Sequence, residues 1–143
     1  MDFFTAMEVS ASGLDVERVR MNVASANLAN ARTTRTADGG PYQRQNVVVE
    51  PAAPGGVEAP GGGADPAVFE VKVAEVAADP RPPRLEYDPS HPDADGNGYV
   101  AYPNVSSVEE IVDMITASRA YEAGVTAIKT ASGMAEGALS IGR

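Results

Sequence analysis

All eleven prolines fall between Pro41 and Pro103, and this segregation constrains the chain more than any other feature. Proline removes a backbone donor and collides with the preceding helical turn. Residues 41–103 therefore cannot hold a long helix, while 1–40 and 104–143 can each run as one. Charge divides the same way: five acids and four bases in 1–40, ten and four in 41–103, five and three in 104–143. The chain reads as three parts, an N-terminal helical arm (1–40), a Pro/Gly-rich middle (41–103) and a C-terminal helical arm (104–143).

In the first arm Met7, Leu14, Met21 and Leu28 recur every seven residues, and Val9, Val16 and Val23 recur with the same period two positions later. At about 100° per residue the two rows lie on nearly opposite sides of one helix. A helix of ~30 residues is ~45 Å long, and with two apolar sides it needs a partner on each. The expectation is that the chain alone cannot supply both.

The second arm opens with Ser106, Ser107, Val108, Glu109 and Glu110, two overlapping capping boxes that mark a helix start. Ile111, Met114, Tyr121, Val125, Ile128, Ala135 and Leu139 follow at heptad-like spacing, with Ser118 and Ser132 filling the gaps, which predicts a coiled-coil seam. Gly124, Gly133 and Gly137 each lower helix propensity by roughly 1 kcal/mol relative to Ala. Such an arm is weakly helical until packed. Only 6% of the residues are aromatic against 43% hydrophobic in all, a composition suited to thin helix packing rather than a deep core.

In the middle segment, Tyr42–Glu50 with its Val47-Val48-Val49 run predicts a strand. The tract 51–66 cannot bury enough surface to fold and reads as a mobile loop. Phe69, Val71 and Val73 alternate with polar or small residues at strand period. Arg84–Asp88 and Gly98–Tyr102 add short strands. The predicted fold is mainly α with a small β part: long terminal helices paired as a coiled coil, and a short hairpin or sheet at the far end of the pair.

A formal charge of −9 has the wrong sign for coating nucleic acid or an anionic membrane face. Without cysteine there is no disulfide, no thiolate chemistry and no Cys-ligated zinc. Uncharged apolar runs fall far short of the ~20 residues that span a bilayer. Asp2 stands where a cleavable export signal carries Lys or Arg.

Candidate chemistry is sparse. Asp93-Ala94-Asp95-Gly96-Asn97-Gly98 matches the opening of an EF-hand loop, which makes a small calcium-binding module the alternative reading. Its twelfth position is Asn104 rather than Glu, and prolines flank it, so an acidic turn accounts for it better. His91 is the only histidine, which leaves no relay for general-base work. Glu109, Glu110 and Asp113 sit where the helix dipole already favours acids. No catalytic residue, cofactor site or metal site is expected.

Asn27 and Asn30 carry two readings: a helix-end stop, or amides bonded between helices that fix register. Around them, Arg20-Met21-Asn22-Val23-Ala24-Ser25-Ala26-Asn27-Leu28-Ala29-Asn30-Ala31 resembles the N-terminal signature of bacterial flagellar rod and hook proteins. Gly40-Pro41-Tyr42-Gln43-Arg44, Tyr87 to Ala94, Gly98 to Val105 and Met114 to Ala123 follow in order and narrow the likeness to proximal-rod members of that family. Arg32 replaces a commonly small residue, Gly124 a usual Asn, and Ser132-Gly133-Met134 lacks a Lys often found before Met.

The resemblance implies a non-catalytic subunit of the flagellar drive shaft, exported uncleaved by the type III apparatus to the periplasmic rod. Its partners would be copies of itself, neighbouring proximal- and distal-rod subunits and the rod-base adaptor. The terminal helices would form the inner layer around the channel. Met7, Leu14, Met21, Asn27, Leu28, Asn30, Ile111, Met114, Tyr121, Val125, Ile128 and Leu139 form the candidate assembly interface.

Overall fold

The computed structural model describes residues 3–53 and 69–141. Its elements are α1 (Phe3–Ala29), β1 (Gln45–Ala52), β2 (Glu70–Ala78), β3 (Arg84–Tyr87), β4 (Tyr99–Tyr102) and α2 (Ser107–Ile141). Ser106 starts α2: its hydroxyl accepts from Glu109 N at 3.4 Å and its carbonyl from Glu110 N at 3.1 Å, which satisfies amides that the first turn leaves unpaired. The helix then runs 35 residues, or ~52 Å. Among the described residues, no helix is long and apolar enough to cross a membrane.

The helices are antiparallel. Asn27 bonds Glu110 near one end, and Leu14 lies against Gly124 further along. A Cβ on Gly124 would sit 2.7 Å from Leu14 Cδ2, so the missing side chain lets the helices approach closely. Met114, Tyr121, Val125 and Ile128 are part-buried and share the face of Ala117 and Gly124 by helical spacing. The two pairings place Phe3 opposite about residue 135, so the last turns of α2 extend past α1.

This seam differs from the expected one at both ends. Its first residue is Glu110, buried at 1% exposure, whereas Ile111 is 45% exposed. Stepping back four residues from Met114, rather than three, keeps to the inner face. Leu139 lies in the overhang and is 76% exposed.

β1 and β2 pair antiparallel from Gln45↔Ala78 to Ala52↔Glu70, with a register shift between Val48 and Val49. They lie along α1 rather than beyond it. Val71 N donates to Ser12 Oγ at 3.2 Å and Gln45 N to Asn27 Oδ1 at 2.9 Å. Ser12 and Asn27 share the helical row of Val9, Val16 and Val23, and Val16 is buried. The second apolar side of α1 is thus covered by the chain's own sheet, contrary to the expectation that one chain could not cover both sides.

The first predicted strand is shifted: it starts at Gln45 and takes in Pro51 and Ala52, which the sequence assigned to the mobile loop. Every strand of a two-stranded sheet is an edge, where proline is allowed. The rest of that tract, 54–66, lies outside the described residues. β3 and β4 form a separate antiparallel pair, Arg84↔Tyr102 to Tyr87↔Tyr99. This hairpin meets the segment after α1 through Thr34, whose hydroxyl donates to Asp93 at 2.8 Å. Val100 and Val105 are buried there.

Candidate functional site

Five parts of the chain converge on Asn27: the last turns of α1, the 42–46 segment, the Asp79–Arg81 turn after β2, Asn104, and the first turns of α2. Tyr42 is delivered by a tight turn in which Gly39 and Gly40 take positive φ and Tyr42 N donates to Thr33 O at 3.0 Å.

Asn27 is 1% exposed and uses its amide fully. Nδ2 donates to Gln45 O at 2.9 Å and to Glu110 Oε2 at 3.0 Å; Oδ1 accepts from Tyr42 Oη and Gln45 N, both at 2.9 Å. The amide orientation is fixed by these partners, since the flipped form would set oxygen against two acceptors. Burial, then the Glu110 charge, push the Tyr42 phenol above its ordinary pKa, which keeps it protonated as a donor.

Glu110 is held on its other oxygen by Arg44, Nε to Oε1 at 2.5 Å. The same guanidinium bonds Asn46 Oδ1 and Asp113 Oδ2, the latter at 3.5 Å, and lies 3.7 Å from Asp79. Arg44 N donates to Asn104 Oδ1 at 3.3 Å, and its carbonyl accepts from Asp79 N at 2.7 Å. Asp79, buried, is gripped by Arg81 Nη2 at 2.7 Å and Nε at 3.0 Å, and these bonds pull its carboxyl far below the usual carboxylate range. Among the described residues no buried side-chain polar atom lacks a partner.

Such a cluster does one thing well. A buried charge missing one partner is costly, so each element is held to a single register against the others. Among the described residues the buried donors and acceptors of the cluster are satisfied within it.

Asn27 therefore bonds between helices, as the register reading requires. Asn30 does not: its Nδ2 donates to Ala26 O at 2.9 Å and its Oδ1 accepts from Thr33 at 3.2 Å, the behaviour of a helix end. Met7, Leu14, Met21 and Leu28 are part-buried along α1. The sequence reading missed Glu110, assigning it to the helix dipole, and gave Arg44 no role. A signal for Glu110 was present, since it falls four residues before Met114 and seven before Ala117, on the seam face.

The Asp93–Gly98 loop is a turn. Asp93 is held by Thr34 and by Arg35 at 3.7 Å, while Asp95 Oδ1 accepts from Asn97 N at 2.8 Å and Tyr99 N at 2.9 Å. His91 Nδ1 accepts from Asp93 N at 3.1 Å. Among the described residues no cluster of three or more His, Cys, Asp or Glu could hold a metal ion.

Two family descriptions match the ends of the chain, "Flagella basal body rod protein" over residues 7–35 and "Flagellar basal body rod FlgEFG protein C-terminal" over 97–141. They cover most of α1 and all of β4 and α2, so the terminal helices are those of a flagellar basal-body rod protein. Full-length relatives are narrower in kind. The chain is 43% identical to the flagellar basal-body rod protein FlgC of Borreliella burgdorferi, over 99% of this chain and 98% of the relative. It is 39% identical to the FlgC proteins of Bacillus subtilis and Salmonella typhimurium, over 100% of each chain. The chain belongs to the FlgC family.

Proposed function

We propose that this protein is a structural subunit of the flagellar proximal rod, built through its terminal helices into a helical tube that carries torque, and that it performs no catalysis. The observation that carries this is the polar junction centred on Asn27. A torque-bearing subunit must keep its helices and outer segment in fixed relation, and here a fully satisfied buried network does so. Full-length kinship with FlgC proteins supports the same reading.

In this reading residues 1–40 and 104–143 line the inside of the tube and 41–103 pack outside them. The subunit reaches the periplasm through the flagellar type III apparatus without a cleaved signal, and its neighbours are copies of itself, other rod subunits and the rod-base adaptor. Within the chain the Met/Leu row of α1 and Met114, Tyr121, Val125 and Ile128 of α2 close the helix pair; Ile111 and Leu139 remain for neighbours. Deleting the gene should abolish swimming and leave basal bodies without a completed rod. Restoration of both by the native chain supports the assignment, and complete rods in the deletion strain would refute it.

A further inference from the structure

The β1–β2 pair meets α1 along its edges, through Val71 to Ser12 and Gln45 to Asn27. The outer edge of β3 has no such cover. On the opposite strand, Tyr99 N donates to Asp95 Oδ1 at 2.9 Å and Tyr99 O accepts from Asp95 N at 2.8 Å, so Tyr99 turns its backbone away from β3. Tyr87 and Tyr99 are therefore a non-hydrogen-bonded pair. Tyr87, and Leu85 two positions before it, point their N–H and C=O out of the hairpin. Among the described residues nothing bonds those four groups. All four residues of β3 are exposed, Leu85 at 64% and Tyr87 at 67%. A bare edge of this kind is a template for another strand.

The side chains select which strand fits. Arg84 and Glu86 stand on one face of β3, paired at 2.8 Å, and Leu85 and Tyr87 on the other. An edge carrying one sign of charge repels its own copy; one carrying opposite signs two residues apart matches itself when inverted. We propose that two copies of this chain pair antiparallel through β3, with Leu85 opposite Leu85. In that register each Leu85 exchanges both outward bonds with its counterpart, Arg84 of each copy faces Glu86 of the other, and Tyr87 lies across from Pro83. Proline has no N–H to give, so the pairing ends there. Of the other charges nearby, Arg32, Arg81 and Glu109 line a groove with Arg84, and Asp88 follows Tyr87. Asp88 comes opposite Pro82 and beside Arg81 of the second copy, so no like charges face each other.

The contact is isologous and closes on two copies. It joins free chains and adds none to a tube, which makes it independent of the rod reading. Two four-residue strands bury far less than a standard ~1,600 Å² interface, so the pair is a weak one that forms at high protein concentration.

The chain has no cysteine, so one can be placed at either exposed position of β3. In the proposed register the Leu85 Cα atoms of the two copies are ~5.5 Å apart, within reach of a disulfide. The Tyr87 Cα atoms are ~14 Å apart, beyond its ~7 Å limit. With the purified chain under identical oxidation, Leu85→Cys should bridge at least ~10-fold faster than Tyr87→Cys; equal rates overturn the register. Sedimentation equilibrium reads the pair without cysteine. The average mass of the native chain should rise with concentration toward that of two chains. Arg84→Glu, which sets four carboxylates side by side, should abolish the rise, and Arg84→Glu with Glu86→Arg should restore it. A native chain that stays monomeric up to ~1 mM, or an Arg84→Glu chain that associates as the native does, overturns the pair and leaves the rod reading standing. So does failure of the exchanged charges to restore association.

Discussion

Replacing Asn27 by the near-isosteric leucine tests whether the polar junction, rather than apolar packing, sets the register of the fold. The change removes four hydrogen bonds at once. Glu110 keeps Arg44, and Tyr42, only part-buried, can turn toward water, so the full cost falls on the orphaned N–H and C=O of Gln45. Each buried unpaired backbone group costs ~1–3 kcal/mol, and leucine returns part of this as apolar burial. We expect a net loss of about 3 kcal/mol, a large share of the 5–15 kcal/mol that holds a domain together. With a urea slope of ~2 kcal/mol/M the unfolding midpoint, followed by helical circular dichroism, should fall by ~1.5 M. Asn27→Asp sharpens the test, because it sets a carboxylate oxygen against Glu110 Oε2 and Gln45 O. Such a carboxyl has a raised folded pKa, so its favourable, protonated contribution is present at acid pH and lost as pH rises. Asn27→Asp should therefore gain on Asn27→Leu as pH falls below about 5. A loss under ~1 kcal/mol for Asn27→Leu would refute the junction as the register-setting element.

Asn30, whose side chain stays at the end of α1, should tolerate serine or glycine at under ~1 kcal/mol in the same unfolding assay. The depressed carboxyl of Asp79 contributes stability that is present above its unfolded pKa of ~3.9 and lost as pH falls below it. Arg81→Ala removes the main cause of that depression, so the variant should show a shallower loss between pH 4 and pH 2 than the native chain, as read by urea midpoints; equal slopes would contradict it. Gly98 has a φ of +82° and a Cβ there would lie 2.9 Å from Tyr87 Cε2, so Gly98→Ala should cost ~2 kcal/mol. Gly133 has nothing within 4 Å, and Gly133→Ala should instead raise stability by up to ~1 kcal/mol.

The parts of the fold that were legible in the sequence are those governed by local rules. Proline segregation and the Ser106 cap located both helices; the alternation at Phe69, Val71 and Val73 located the start of β2, which runs on to Ala78, and the short runs 84–88 and 98–102 located β3 and β4 to within about a residue. What escaped depends on which elements meet. The valine row of α1 announced a second partner, but no local pattern says that the partner is the chain's own β1–β2 pair. Apolar spacing alone carries the seam of α2 through Ile111; its first position is the charged Glu110, tolerable only because Asn27 and Arg44 arrive from 83 and 66 residues away. The local sequence leaves Asn27 both of its readings, and the position of Glu110 on α2 decides between them.

The central claim, that this chain is a subunit of the rod and lines it with its terminal helices, is tested most directly by electron cryo-microscopy of the intact basal body from the source cells. The account predicts rod density in which α1 and α2 stand as an antiparallel pair in the innermost layer, with the β1–β2 sheet outside. A rod in which this sequence fits no subunit, or in which its sheet faces the channel and its helices lie outermost, would contradict it.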